Sequence, residues 1–194
     1  MPLYSSTYLK QLSAGTLSTV KNRLFTESRN LSTGFDIFLS HSFLDKGEVE
    51  GIYIELTNKG YSVYVDWIVD PHLNRNNVTK ATAEYIRNRM KASKSLVLAI
   101  SSSAQLSKWI PWELGFIDGL RNQCALFPVS KDYTTPKTFN RSEYLLLYPY
   151  IKMADIDNRN DLFVTESSNE YSGLGDWVRR QVKPSYKSRN IDLL

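Results

Sequence analysis

Between Ser107 and Gly119 the chain reads SKWIPWELGFIDG, which sets one acid, Glu113, among tryptophans and apolar residues. A carboxylate in apolar surroundings is costly unless it is paired or put to use. The spacing predicts a helix on which Trp109 and Glu113, four residues apart, share one face. Pro111 suits the first turn of that helix, where its missing N–H costs nothing. Chemistry alone leaves two readings open. Glu113 is either a partly buried acid favoured by the dipole at a helix start, or a working carboxylate beside an indole at the mouth of a pocket.

Further polar groups follow apolar runs: Ser40-His41-Ser42, Asp66-Trp67, Ser101-Ser102-Ser103 and Val129-Ser130. Together they would offer hydroxyls and an indole face, suited to a sugar and a planar ring, although small polar residues also simply end strands. No Ser-His-Asp chain can be read around His41, which favours a polar role at a strand end over catalysis. The chain has no GxGxxG after its first apolar run, no GxxxxGK[ST] and no GxSxG. A dinucleotide fingerprint, a P-loop and a hydrolase elbow are therefore unsupported. Two histidines and one cysteine leave a dedicated metal site short of donors. Cys124 opens the run CALFPV and reads as a small buried hydrophobe rather than a nucleophile.

Composition sets the frame. The 194 residues suffice for one ordinary domain with a core. A hydrophobic share of 42% and a charged share of 23% exclude disorder over the whole chain. The net charge of +4 permits an anionic ligand without naming one, and several cations sit in the closing stretch RRQVKPSYKSRN. No basic stripe with interleaved aromatics is present, so nucleic acid is not an expected partner. No apolar run approaches the length of a membrane span, and MPLYSSTYLKQLSAG lacks the features of a signal peptide. The lone cysteine fits a reducing, cytoplasmic setting.

The elements that would position these groups alternate regularly. Residues 1–33 read as an N-terminal extension of one or two amphipathic helices with a break near Gly15, then a linker. FDIFLS reads as a strand buried on both faces. Val49, Ile52, Tyr53 and Leu56 form a helix stripe closed by Gly60. YSVYVDW follows as a strand, DPHLNRNN as a turn-rich loop, and VTKATAEYIRNRMKAS as a helix. SLVLAI is a third strand, ALFPV a fourth, and YLLLYPYIKM supplies a fifth. DNRNDLFVTESSNE reads as irregular, and Tyr171, Leu174, Trp177 and Val178 mark a final helix. The alternation predicts an α/β domain: a parallel sheet of about five strands with helices on both faces. Ligands on such sheets bind beyond the C-terminal strand ends, where the polar groups above lie.

FDIFLSHSFLDK, GYSVYVDW and SKWIPWELG, in this order and spacing, resemble a bacterial Toll/interleukin-1 receptor (TIR) domain of the stand-alone, Thoeris-like anti-phage type. The resemblance covers about residues 34–180. FDIFLSHS resembles the family's first-strand signature, DWIVDPHLNR stands where its loop after the second strand stands, and Trp109-x-x-x-Glu113 matches its W-x-x-x-E pattern. The sequence departs from the family in a Trp and a Pro-His pair near the loop, and in bulky Pro111 and Trp112 inside W-x-x-x-E. The resemblance implies a flavodoxin-like three-layer TIR domain over 34–182, with a basic tail over 183–194.

It also implies an enzyme that breaks the nicotinamide–ribose bond of NAD+, with NAD+ as substrate and no other cofactor. Glu113 is then the catalytic residue. Trp67 and Trp109 would stack on the nicotinamide or adenine rings, or serve as packing aromatics. Ser40, His41 and Ser42 would meet the carboxamide or ribose, Asp70 would reach ribose from the mobile loop, and Asp66 and Ser103 would complete the substrate-binding set. The product would be ADP-ribose, or a cyclic or conjugated form of it that a downstream effector senses. Activation would come with self-assembly into a homo-oligomer. Two alternatives stand beside this: a non-catalytic TIR module that only assembles with other TIR domains, and a nucleoside-processing enzyme on a similar sheet.

Overall fold

The computed structural model describes residues 4–30, 34–41, 44, 46–73, 79–101, 109–130, 143–156 and 159–191. Its centre is a run of five parallel strands. These are β2 (Phe35–His41), β3 (Val63–Tyr64), β4 (Ser93–Ser101), β5 (Cys124–Ser130) and β6 (Tyr150–Ile156). They lie in the order β3-β2-β4-β5-β6. The apolar run of β2 explains its central place: Phe35, Ile37, Phe38 and Leu39 are all buried, as a strand covered on both faces requires.

The helices follow from the connections. α3 (Lys46–Asn58) joins β2 to β3, α5 (Lys80–Lys91) joins β3 to β4, and α6 (Ile110–Arg121) joins β4 to β5. β3 lies to one side of β2 while β4 and β5 lie to the other, so right-handed crossovers set α3 on one face and α5 and α6 on the opposite one. This is the α/β sandwich expected, with helices flanking a mostly parallel sheet. Cys124 is buried at the start of β5, and burial pushes its thiol pKa up, as befits a packing residue. Among the described residues no helix is long and apolar enough to cross a membrane.

Four segments differ from the sequence reading; one is YLLLYPYIKM, whose first part lies in a 3-10 helix, Glu143–Leu147, ahead of β6. DNRNDLFVTESSNE contains β7 (Arg159–Thr165), which pairs antiparallel with β6. Leu162 and Val164 are buried while Asp161 is exposed, so polar outward residues masked a half-buried strand. β8 (Glu170–Gly173) and β9 (Ser185–Tyr186) extend the sheet further, antiparallel. Tyr171 thus lies in β8, and the final helix α7 spans Leu174–Arg180. The strand expected over YSVYVDW is only Val63–Tyr64 long, because Asp66–Val69 turns into a short helix, α4.

The N-terminal segment is part of the core. β1 (Tyr4–Ser5) pairs parallel with the end of β5. α1 (Ser6–Gly15) and α2 (Ser18–Arg29) follow, with the break where the sequence places it. Ser5 caps α1 by accepting from the Tyr8 N–H at 3.1 Å. α1 crosses α3 so closely that a Cβ on Gly51 would lie 2.3 Å from the Leu9 carbonyl oxygen. α2 reaches α4: the Arg29 Nε–H donates to the Ile68 carbonyl at 2.7 Å, and Phe25 sets its ring edge-on to Trp67 at 6.4 Å.

Candidate active site

The strand order reverses between β2 and β4, and in a sheet wound this way the crevice beyond their C-terminal ends is the ordinary ligand position. β2 ends there in Ser40 and His41, in register with Leu98 and Ala99 of β4. The helix after β4 brings Glu113 to the same place. The Ser40 hydroxyl donates to Glu113 Oε2 at 2.5 Å, and both side chains are buried, Glu113 completely.

Local sequence explains how the acid is aimed. The Glu113 N–H donates to the Trp109 carbonyl at 2.9 Å, so W-x-x-x-E is the first turn of α6. Pro111 occupies that turn as the sequence suggests. Trp109 packs against Trp112 at 5.5 Å, and Trp112 against Phe116 at 6.2 Å, an aromatic row along the helix start. An acid in the first turn is favoured by the helix dipole, and Ser40 gives its charge a direct hydrogen bond.

The pleat divides the remaining groups. Successive strand residues point to opposite faces, so Ser40 meets α6 while His41 turns toward α3. His41 there lines a cavity of about 390 Å³ with Leu44, Lys46, Val49 and Trp67. Lys46 Nζ lies 4.8 Å from the centre of the Trp67 ring. Lys46 escaped the sequence reading, because its position over an indole twenty-one residues away depends on how α3 and α4 pack.

Asp66 is buried at the start of α4, where its Oδ1 accepts from the Trp67 N–H at 2.8 Å. Asp70 is not among the residues that line the cavity. It is buried, and Arg89 grips it with two hydrogen bonds, Nε–H to Oδ2 at 2.9 Å and an Nη2–H to Oδ1 at 2.7 Å. The Tyr85 hydroxyl adds a third at 2.8 Å. Burial alone would raise the Asp70 pKa, but these donors more than offset it and hold the carboxyl below its ordinary range. Asp70 is therefore a strut between α4 and α5 in this structure. No sequence signal pairs it with Arg89 in particular. Ser42 and Ser103 lie outside the described residues.

The arrangement thus combines a buried, hydrogen-bonded carboxylate at a switch point with a neighbouring cavity that carries an indole, an imidazole and an ammonium. The first feature can stabilise a growing positive charge, and the second can hold an anionic, planar group.

No protein-family model matches the chain. Over 148 residues, 75% of the chain and 76% of the relative, it is 42% identical to a protein of Bacillus cereus (strain MSX-D12) described as "Probable 3' cyclic ADP-D-ribose synthase ThsB'". Over 93 residues, 46% of the chain and 24% of the relative, it is 29% identical to a protein of Cytobacillus dafuensis described as "Putative cyclic ADP-D-ribose synthase TIR2".

Proposed function

The chain belongs to the Thoeris-like TIR family that includes ThsB', and from that premise we propose that it cleaves the nicotinamide–ribose bond of NAD+ and closes the remaining fragment into a cyclic ADP-ribose. The observation that carries this reading is Glu113, buried at the switch point and held by Ser40.

Nicotinamide in NAD+ is already a cationic leaving group, so its departure needs no general acid. The C1′–N bond breaks, its electron pair leaves with neutral nicotinamide, and positive charge grows on the ribose. A fixed carboxylate facing that charge stabilises the transition state more than the ground state. Glycosidases set carboxylates against a similar charge. Exclusion of water from around Glu113 strengthens the attraction. It also disfavours attack by water, leaving a hydroxyl of the fragment itself to bond to C1′ and close the ring while its proton passes to bulk solvent. Both relatives are named as cyclic ADP-D-ribose synthases, which supports the cyclic outcome.

Glu113 has no exposed surface here, so binding of ribose against it requires a rearrangement around the carboxylate. That need fits activation by self-assembly into a homo-oligomer. A cyclic nucleotide fits a signal read by an effector in cytoplasmic anti-phage defence. The test is incubation of concentrated protein with NAD+, followed by chromatography and mass analysis. Nicotinamide with a product one water lighter than ADP-ribose supports the reading. ADP-ribose alone makes the protein a hydrolase, and no release, with or without lysate of phage-infected cells, refutes it.

A further inference from the structure

Another cavity lies at the opposite edge of the sheet from Glu113, where β5 begins at Cys124. Its volume of about 370 Å³ is within the range of small-ligand pockets. The end of α6, the turn ahead of β6, the β7–β8 turn, α7 and the tail after it all contribute to its wall. The charges on that wall are of both signs: the carboxylates of Asp118 and Glu166, and the ammonium of Lys183. Among the described residues no salt bridge joins Lys183 to either acid. Lys183 instead donates to the Asn122 carbonyl at the end of α6 and to Gln123 Oε1, the latter at 2.9 Å. An ammonium has three N–H donors, so a third is left for a ligand. The Tyr148 hydroxyl holds Asp118 Oδ2 at 3.3 Å, which leaves Oδ1 for one as well. Burial lowers the Lys183 pKa in spite of the acids around it, and burial, with Glu170 nearby, raises that of Glu166. Each charge is thus under-compensated by its own surroundings. Trp177 belongs to the same wall, and its buried indole N–H has no hydrogen-bond partner among the described residues. A buried donor without an acceptor is rare in a folded protein and calls for one.

We propose that this cavity binds a small zwitterion of the α-amino-acid class, its carboxylate on Lys183 and its ammonium on Asp118 and Glu166. A simple cation would meet Lys183, and a simple anion would meet the two acids. Only a ligand carrying both signs sets each charge against its opposite. Gln123 ties the two donors of the wall together, accepting from Lys183 and donating to the Trp177 carbonyl at 2.5 Å. The Trp177 indole N–H is therefore the further donor beside the carboxylate position. Leu147, Pro149 and Pro184 supply apolar wall for a side chain. The bound zwitterion would join the C-terminal end of α6 to α7 and the tail, at the far end of the helix that begins with Glu113. Binding here does not depend on any NAD+ chemistry at Glu113.

The experiment is a thermal-shift screen of the full chain with each of the common L-amino acids in turn at millimolar concentration. Calorimetry then follows the one that stabilises most, alongside its N-acetyl and carboxamide derivatives, each of which lacks one of the two charges. The proteins are wild type, Lys183→Gln and Lys183→Arg. Lys183 is exposed, so its variants should fold, and melts without ligand check this. The expected result is saturable binding to wild type that weakens by about tenfold in Lys183→Gln and for each derivative. Lys183→Arg keeps the charge and should retain most of the affinity. The bound amino acid should also slow amide exchange at the C-terminal end of α6. The derivatives test the charge match on wild type itself, whatever the substitutions do to folding. The site is overturned if no amino acid shifts the wild-type melt, if folded Lys183→Gln binds as wild type does, or if the N-acetyl derivative binds as tightly as the free amino acid.

Discussion

Ser40 and Glu113 stand 73 residues apart in the chain, yet the Ser40 hydroxyl donates to the Glu113 carboxylate at 2.5 Å inside the fold. The bond joins the end of β2 to the first turn of α6 across the point where the strand order reverses. Removing the Ser40 hydroxyl leaves a buried acceptor short of a donor, a loss of about 1–3 kcal/mol. Ser40→Ala should therefore melt lower and lose about tenfold in kcat with little change in KM, since Ser40 positions the acid. Ser40→Thr keeps the hydroxyl and should recover most of the rate. Equal rates for Ser40→Ala and wild type would remove Ser40 from the site.

Gly51 is a contact point between α1 and α3. A methyl group there meets the Leu9 carbonyl oxygen at 2.3 Å and the Leu9 Cα at 2.8 Å, both backbone atoms that cannot step aside cheaply. Gly51→Ala should destabilise the protein by about 1–3 kcal/mol and make the N-terminal helices more sensitive to protease. Gly119, on the exposed side of α6, has open space at the same distance, so Gly119→Ala should be neutral or stabilising by about 0.4–1 kcal/mol. Urea denaturation of the two variants compares them directly.

The Asp70–Arg89 pair makes stability depend on pH with a definite sign. The folded Asp70 pKa is depressed below its ordinary 3.8, so its contribution is fully present above that value. It is lost as pH falls through the lower folded pKa. Asp70→Asn should cost about 1–3 kcal/mol at pH 7. Its deficit against wild type should hold constant between about pH 5 and 8 and shrink below about pH 4. Asp36 also has a depressed pKa, but it is present in both proteins and cancels in the difference. Urea midpoints across that pH range provide the check.

α2 braces the segment that carries Trp67. Arg29→Ala removes the donor to the Ile68 carbonyl, and amide exchange over Asp66–Val69 should accelerate several-fold while exchange in β4 stays unchanged. Uniform acceleration across both would show that Arg29 supports the whole fold instead of this brace.

Much of the framework was legible because it rests on local pattern. The apolar runs of β2, β4 and β5, the helix stripe after β2 and the turn at Trp109–Glu113 can each be read from a few adjacent residues. β7 was not, because Asp161 and its polar neighbours hide a strand whose buried apolar side chains are Leu162 and Val164 on one face. The partners of Asp70 were not legible either, because only the packing of α5 brings Arg89 and Tyr85 onto it. Lys46 was missed for the same reason, since it gains meaning only from Trp67 across the cavity. The sequence offers Ser40 as a substrate contact, and the structure adds its bond to Glu113, which needs the β2–β4 register to exist.

Under the proposed function, the Glu113 carboxylate drives cleavage of NAD+. It is tested most directly by the rate of nicotinamide release from wild type and Glu113→Gln at equal, high protein concentration, with circular dichroism confirming that both are folded. The amide keeps an oxygen that accepts from Ser40 but carries no charge. A loss of about a thousandfold or more is expected in the glutamine protein. Release at the wild-type rate from folded Glu113→Gln would contradict it.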